Sequence, residues 1–127
     1  MFEWIKEDKP VFAWVPSIIW ALVILMFSVL PYRGDFPLLV GNFDKMAHFL
    51  EYMVLSILLI RALYRAWSLP MSKNAVIALI LGCVYGIVME LIQLFIPGRE
   101  ADIRDVIFNL IGATAGVILG RSMLWRK

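Results

Sequence analysis

The residues whose side chains are best suited to catalysis or binding stand near the end of a long apolar run. The stretch MELIQLFIPGREADIRD, residues 89–105, places Glu90 and Gln93 inside that run, and Pro97 and Arg99 come shortly after them. A carboxylate inside a membrane costs roughly 2.5 to 3.5 kcal/mol on insertion scales unless it is paired or hydrated, which makes it a candidate for function. We interpret Glu90 and Gln93 as one wall of a polar pocket, with Arg99 placed to reach over its mouth.

Six further candidates share this polar character: Lys45, His48, Glu51, Tyr52, Asp105 and Asn109. An imidazole suits a general base and a carboxylic acid suits a general acid, so His48 and Glu90 form the candidate catalytic pair. Arg99 presents a planar fork of donors that fits phosphate or carboxylate. The remaining candidates offer ammonium, carboxylate, phenol and amide groups, and we expect them to bind a ligand together with Arg99 and Gln93.

The composition of the chain indicates where these residues lie. The chain of 127 residues has a mean hydropathy of +0.84 and 17% charged residues, whereas soluble proteins average about 25% charged residues. A membrane protein with a single domain over residues 1–127 is therefore expected. The net charge of +2 and the absence of a basic run in the sequence argue against nucleic acid as a partner.

Four apolar stretches are each close to the roughly 20 residues that a helix needs to cross a bilayer. They cover residues 12–30, 46–67, 75–96 and 103–125. Because lipid offers the backbone no hydrogen-bond partners, runs of this length are expected to form helices. The predicted fold class is all-α, an integral membrane bundle of four transmembrane helices.

Basic residues divide unequally between the two sides of such a bundle. Eight of the twelve Lys and Arg residues fall on the side of the two termini, and the other four are Arg33, Lys45, Arg99 and Arg104. In membrane proteins the cytoplasmic loops carry the excess of Lys and Arg. We therefore expect both termini in the cytoplasm and the candidate residues on the outer side of the membrane.

Each residue of an α-helix turns by about 100°, so the spacing of polar residues shows whether they share a face. The last three helices each carry one stripe of polar or small residues, whereas the first carries almost none. The stripes are Asp44, His48, Glu51 and Tyr52, then Gly82, Gly86, Glu90 and Gln93, and then Asp105, Asn109, Gly112, Gly116 and Gly120. Small residues four positions apart let helices pack closely. We therefore expect the stripes to meet around a shared polar pocket.

Three segments of the chain resemble the VanZ-like membrane protein family. They are DKMAHFLEYMVL at 44–55, ELIQLFIPGR at 90–99 and DVIFNLIGATAG at 105–116, in the order and spacing of the family. Many members carry an Asp before the Glu and a His before the Gln, where this chain has Met89 and Ile92. The resemblance therefore carries over no mechanism that needs a second acid or a second histidine. The positions that match the family pattern are Lys45, His48, Tyr52, Glu90, Gln93, Arg99, Asp105, Asn109, Gly112 and Gly116.

The family takes its name from a member associated with low-level resistance to the glycopeptide teicoplanin. The resemblance implies a cell-envelope protein, which we expect in the inner (cytoplasmic) membrane of a bacterium. Our first hypothesis is that the outward-facing pocket binds membrane lipids, a lipid-linked envelope precursor or a glycopeptide antibiotic. The alternative is a membrane-embedded enzyme that uses His48 as general base and Glu90 as general acid on a substrate of this kind.

Other interpretations of the same residues stay open. The polar residues could hold the helices together, since polar contacts in membranes contribute about 0.6 to 2 kcal/mol each, and the protein would then scaffold other proteins. A metal site could form from Asp44, His48 and Glu90, but no dense ligand motif is present and no cofactor is predicted. Proton transport is disfavoured because the last three helices carry no titratable residue in the inner half before Arg61 and Arg65. The glycine stripes leave room for a homo-oligomer.

Overall fold

The computed structural model describes residues 10–29, 42–67, 69–96 and 103–125. No strand is present among these residues. Four α-helices form instead: α1 (Val15–Val29), which continues a 3₁₀ turn at Pro10–Trp14, α2 (Asn42–Ala66), α3 (Met71–Gln93) and α4 (Ile103–Trp125). All four, α1 together with its 3₁₀ turn, are long and apolar enough to cross a membrane. The predicted all-α architecture with four helices of membrane-spanning length is therefore confirmed.

A proline fixes the start of α3. Pro70 stands directly before Met71 with φ −55° and ψ 147°, which is not a helical conformation. Its carbonyl accepts hydrogen bonds from the N–H groups of Lys73 and Asn74, at 3.0 and 3.1 Å. These bonds start the helix within a polar segment. α3 therefore begins at Met71, four residues before the apolar run at residue 75 where the sequence predicts its start.

The end of α3 is a tightened turn. The helix ends at Gln93, and the N–H of Ile96 donates to the carbonyl of Gln93 at 3.2 Å, the i to i+3 spacing of a 3₁₀-type turn. Pro97 comes next in the sequence, and the residue before a proline is disfavoured in α conformation. The predicted helix end at residue 96 therefore includes this turn.

α2 and α4 form the most extensive helix pair in the bundle, and glycines of α4 allow their close approach. A Cβ atom added to Gly112 would overlap the backbone carbonyl of Phe49, and one added to Gly116 would overlap the carbonyl of Met53. Gly120 continues this line one turn further along α4. We call these three glycines and the α2 backbone against them the glycine seam. Its two matched contacts both advance by four residues, so α2 and α4 run parallel.

The two ends of the bundle differ in chemistry. Trp14, before α1, and Trp67, after α2, meet at an interplanar angle of 65° with their ring centroids 5.8 Å apart. This contact shows that α1 and α2 run antiparallel, and it defines the tryptophan end. The opposite end, where α2 and α4 begin and α3 ends, is called the cluster end below.

Apolar side chains fill the interior and also cover the outside. Ile24, Ile60 and Ala78, from three different helices, are fully buried. Val84 and Ile118, by contrast, point outward and are more than half exposed. Continuous apolar outer faces are unfavourable in water but suit contact with lipid. The distribution of apolar residues is therefore that of a membrane bundle.

The inner face of α1 corrects one expectation from the sequence. Ser17 and Ser28 are both buried there, on either side of Ile24. The prediction that the first helix carries almost no polar or small residues toward the bundle is therefore wrong. Two serines within a long apolar run give little signal in the sequence, because no charged or amide residue stands three or four positions from either of them.

Candidate functional site

Six polar side chains from three helices are buried at the cluster end. Each of them is at most 8% exposed. They form what we call the polar cluster: His48, Tyr52, Glu90, Gln93, Asp105 and Asn109. On α2, α3 and α4 the members are three or four residues apart, so each helix turns its polar stripe toward the inside of the bundle.

Three ionisable groups of the polar cluster lie around a single point. His48 on α2, Glu90 on α3 and Asp105 on α4 each present one nitrogen or oxygen atom, and these atoms lie within 4.8 Å of one another. The distance from Nε2 of His48 to Oδ2 of Asp105 is 3.6 Å, which is longer than a hydrogen bond. Three helices that are separate in sequence therefore bring an imidazole and two carboxylates together.

Asp105 also pairs with a lysine. Nζ of Lys45 donates to Oδ1 of Asp105, and the lysine side chain is only 15% exposed. Its ammonium group therefore turns toward α4 and the inside of the bundle. Asp105 stands in the first turn of α4, where the helix dipole also favours a carboxylate. Asp105 is thus an acid in the first helical turn whose side chain also faces the inside of the bundle.

One turn deeper, an amide and a phenol meet at a glycine of α3. A Cβ atom added to Gly86 would lie 3.2 Å from Nδ2 of Asn109 and 3.2 Å from Cε1 of Tyr52. Among the described residues, neither Nδ2 nor Oδ1 of Asn109 has a hydrogen-bond partner, although the side chain is only 2% exposed. A buried polar group left in this state costs about 1 to 3 kcal/mol. Asn109 is therefore not explained by the packing of the bundle alone.

Glu51 faces a different part of the bundle. It lines a groove of about 300 Å³ between α1 and α2, together with Trp20, Phe27 and Leu50. The indole Nε1 of Trp20 donates to the backbone carbonyl of Glu51 at 2.9 Å. Adjacent helix positions differ by about 100°. Tyr52 points toward α3 and α4, so its neighbour Glu51 turns toward α1. The structure therefore does not bring Glu51 into the polar cluster.

The remaining predicted site residues can be placed only in part. Gln93 is 2% exposed and lies one turn from Glu90 on α3. Arg99, which is predicted to reach over the pocket, lies outside the described residues, and so does the side chain of Asp44. The described site therefore consists of the polar cluster and Lys45.

Two polar residues near the site were not identified from the sequence. Ser56 is fully buried one turn from Tyr52, and a Cβ atom added to Gly82 would lie 3.1 Å from its Oγ. The spacing of four residues from Tyr52 is the signal that could have identified Ser56. The hydroxyl of Tyr85 donates to the backbone carbonyl of Ala21 on α1. No pattern in the sequence indicates this bond, because it depends on how α1 packs.

The site combines positive and negative charges, and it offers both hydrogen-bond donors and acceptors. The carboxylates of Glu90 and Asp105 accept hydrogen bonds, Lys45 donates, and the imidazole and the amide can do both. Such a set fits hydroxyl and amide groups of a ligand. It fits an anionic group only where the charge of the carboxylates is offset, because like charges at this distance repel strongly inside a membrane.

Four helices of membrane-spanning length with ionisable residues buried at one end define a membrane protein with a polar site inside the bundle. The model of the VanZ/LLP1 family matches residues 2–125. The chain therefore belongs to this family, and the resemblance of its three polar segments is confirmed. No curated protein and no solved structure matches the chain.

Proposed function

We propose that this VanZ-like membrane protein binds the polar headgroup of a lipid-linked ligand, or a glycopeptide-type ligand, at the polar cluster. The observation that carries the proposal is the burial of six polar side chains from three helices at one end of the bundle, three of which present atoms within 4.8 Å of one another. Ionisable groups are costly inside a membrane and are found mainly where function needs them. The link between VanZ-like proteins and the bacterial envelope supports a ligand from that compartment.

A role in holding the helices together explains the site less well. The glycine seam already brings α2 and α4 into contact through their backbones. The amide of Asn109 makes no hydrogen bond to the described residues, so it adds no polar contact to helix association. A ligand with hydroxyl or amide groups would satisfy this side chain and also use the acceptors on Glu90 and Asp105.

The division of basic residues supports an outward-facing site. Eight of the twelve Lys and Arg residues fall on the side of the tryptophan end or in the terminal segments that lead to it. With both termini in the cytoplasm of a bacterium, the polar cluster lies in the outer half of the inner membrane. There it meets the headgroups of outer-leaflet lipids, and Arg99 in the connection between α3 and α4 is the predicted partner for an anionic part of the ligand.

A first test is retention of a defined probe by the purified protein. Native mass spectrometry in lipid nanodiscs would compare a polyprenyl phosphate, phosphatidylglycerol and teicoplanin as probes. We expect the wild-type chain to retain one of them, and Asn109→Leu to reduce retention at least about tenfold, the effect of about 1.4 kcal/mol in a hydrogen bond. Because the Asn109 amide makes no hydrogen bond to the described residues, the stability of this variant should stay close to that of the wild type.

The matched control is a second buried asparagine. Asn74 is fully buried near the tryptophan end, sixteen residues and so about 24 Å along α3 from Glu90. Asn74→Leu makes the same chemical change far from the polar cluster and should leave probe retention intact. Two outcomes would favour the structural role instead. One is equal probe retention by Asn109→Leu and the wild type, and the other is a large loss of stability in Asn109→Leu when no form of the protein retains a probe.

The arrangement around His48 favours one second candidate, a membrane-embedded enzyme. The imidazole stands 3.6 Å from Asp105 and within 4.8 Å of Glu90, so a base and an acid can act on one bound group. Incubation of the wild-type protein with a polyprenyl pyrophosphate, followed by mass spectrometry of the lipids, would then show a product. Its absence, or its undiminished formation by His48→Ala and Glu90→Gln, would leave binding as the function.

A further inference from the structure

His48 and Asp105 of the polar cluster have a spacing that a hydrogen bond between them does not explain. Nε2 of His48 and Oδ2 of Asp105 are 3.6 Å apart, too far for a good hydrogen bond. Two atoms that bind one tetrahedral cation at about 2.0 to 2.2 Å lie about 3.4 Å from each other. Glu90 belongs to the same group, in which one nitrogen or oxygen atom of each of the three residues lies within 4.8 Å of the others. A small adjustment of the side chains therefore brings the three groups to the positions that ligands of one metal ion take.

We propose that His48, Glu90 and Asp105 bind a divalent transition-metal ion of the Zn²⁺ type. One imidazole and two carboxylates are ligands that Zn²⁺ uses in proteins, and three protein ligands leave at least one coordination position open. A neutral histidine and two carboxylates also match the charge of a divalent cation. The ion and its three ligands carry no net charge among themselves, and the Lys45 ammonium beside Asp105 leaves the site with one positive charge, which an anionic ligand group would offset.

Lys45 has the position of an outer partner of such a site. Its ammonium group donates to Oδ1 of Asp105, whereas Oδ2 faces His48. The two oxygens of the carboxylate are therefore divided between the lysine and the proposed metal. Hydrogen bonds of this kind fix the orientation of ligating carboxylates in metal sites.

Asn109 supplies the second, independent observation. Its amide lies against Gly86, which is one turn from Glu90, and Asn109 itself is one turn from Asp105. The side chain is 2% exposed, and both its polar atoms are without a partner among the described residues. Directly beneath the three ligands, this amide can donate to or accept from a water or ligand oxygen in the open coordination position.

The metal site revises two interpretations from the sequence. Asp105 takes the place that the sequence assigns to Asp44, because α4 packs parallel to α2 and brings its first turn beside His48. A histidine bound to metal through Nε2 cannot serve as a general base through the same atom. The proposal therefore assigns His48 to metal binding and not to proton transfer.

The link from the metal to the ligand rests on the proposed function. Two carboxylates repel a phosphate group, whereas a divalent cation between them attracts it. A lipid phosphate and a carboxylate of a glycopeptide would both bind in the same way, through an anionic oxygen in the open coordination position. Metal binding itself needs no lipid, so it can be measured alone.

The test uses the wild-type chain in detergent, stripped with a chelator and then titrated with Zn²⁺ or Co²⁺. We expect one Zn²⁺ per chain by elemental analysis, and visible absorption bands of tetrahedral Co²⁺ in the cobalt-loaded protein. His48→Ala, Glu90→Gln and Asp105→Asn should each lower the affinity for Zn²⁺ at least about tenfold, while Asn74→Ala should keep the wild-type affinity. His48→Cys restores a ligand and should add a thiolate-to-Co²⁺ charge-transfer band, which a merely structural histidine would not produce.

The outcomes separate the metal from the ligand. A wild-type protein without bound Zn²⁺, without tetrahedral Co²⁺ bands, or with unchanged affinity after His48→Ala overturns the metal site, even if a variant fails to fold. Polyprenyl phosphate retention that rises with Zn²⁺ supports both proposals. Stoichiometric Zn²⁺ with no retention of any probe keeps the metal site and removes the proposed function.

Discussion

The two sides of α2 are packed in opposite ways. On one side the glycine seam brings the backbone of α4 against the carbonyls of Phe49 and Met53. On the other side a groove of about 300 Å³ separates α2 from α1, and Trp20 crosses it with a single hydrogen bond to α2. α2 is therefore joined tightly to α4 and loosely to α1.

This difference follows the chemistry of the site. The polar cluster draws its residues from α2, α3 and α4, and none from α1. An imidazole and two carboxylates can keep a defined spacing only if the helices that carry them cannot slide, and close backbone contact provides that rigidity. The helix that contributes no site residue is the one that can pack loosely without disturbing the site.

The largest effect is expected at the glycine seam. An alanine at position 116 would place its methyl group inside the contact distance of the Met53 carbonyl, which belongs to a backbone that cannot easily move. We expect Gly116→Ala to lower the free energy of unfolding by about 3 kcal/mol or more. Unfolding by sodium dodecyl sulfate, followed by circular dichroism, would measure the loss.

Gly82 offers a matched control for this substitution. A methyl group there would lie 3.1 Å from Oγ of Ser56 and 3.5 Å from the Cβ of Ala113, so only a side-chain hydroxyl has to give way. Gly82→Ala should therefore change the free energy of unfolding by less than about 1 kcal/mol. Equal losses from the two substitutions would show that α2 and α4 are not in backbone contact at Gly116.

The sequence predicts the side of α2 that carries polar and small residues better than the opposite side. His48, Glu90 and Asp105 fall on stripes with helical spacing, and helical geometry alone turns such stripes toward a common interior. Glycines four positions apart indicate close helix packing by their spacing alone. The four helices of membrane-spanning length were accessible from the length of the apolar runs, and family membership was accessible from the resemblance of three segments to the family.

The contacts within the site depend on rotations and distances that spacing does not fix. Glu51 and Tyr52 are neighbours in the sequence, and an arc of about 100° includes both, yet one faces α1 and the other faces α3 and α4. Lys45 has a flexible side chain that reaches either the membrane surface or an acid inside. Its pairing with Asp105 follows from the parallel packing of α2 and α4, which no local pattern specifies.

A smaller effect is expected where α1 joins the other helices. The hydroxyl of Tyr85 donates to the carbonyl of Ala21, and polar contacts of this kind between membrane helices average about 0.6 kcal/mol and reach about 1.7 kcal/mol. Tyr85→Phe should lower the free energy of unfolding by about 1 kcal/mol. Tyr64→Phe removes a hydroxyl from a side chain that is 47% exposed, and it should have no measurable effect. A loss from Tyr85→Phe as large as that from Gly116→Ala would contradict a loosely joined α1.

The smallest effect is expected inside the groove itself. Ala47 lines the groove on the α2 side, so the added carbon atoms of Ala47→Leu have space beside Trp20 and should change the free energy of unfolding by less than about 0.5 kcal/mol. Ala113 on α4 is fully buried, and the same enlargement there should cost about 1 to 3 kcal/mol through overpacking. The pair measures packing on the two sides of α2 with one chemical change. If Ala47→Leu proved as costly as Ala113→Leu, the groove would be closed in the membrane. The contrast between a tightly packed α4 and a loosely packed α1 would then be wrong.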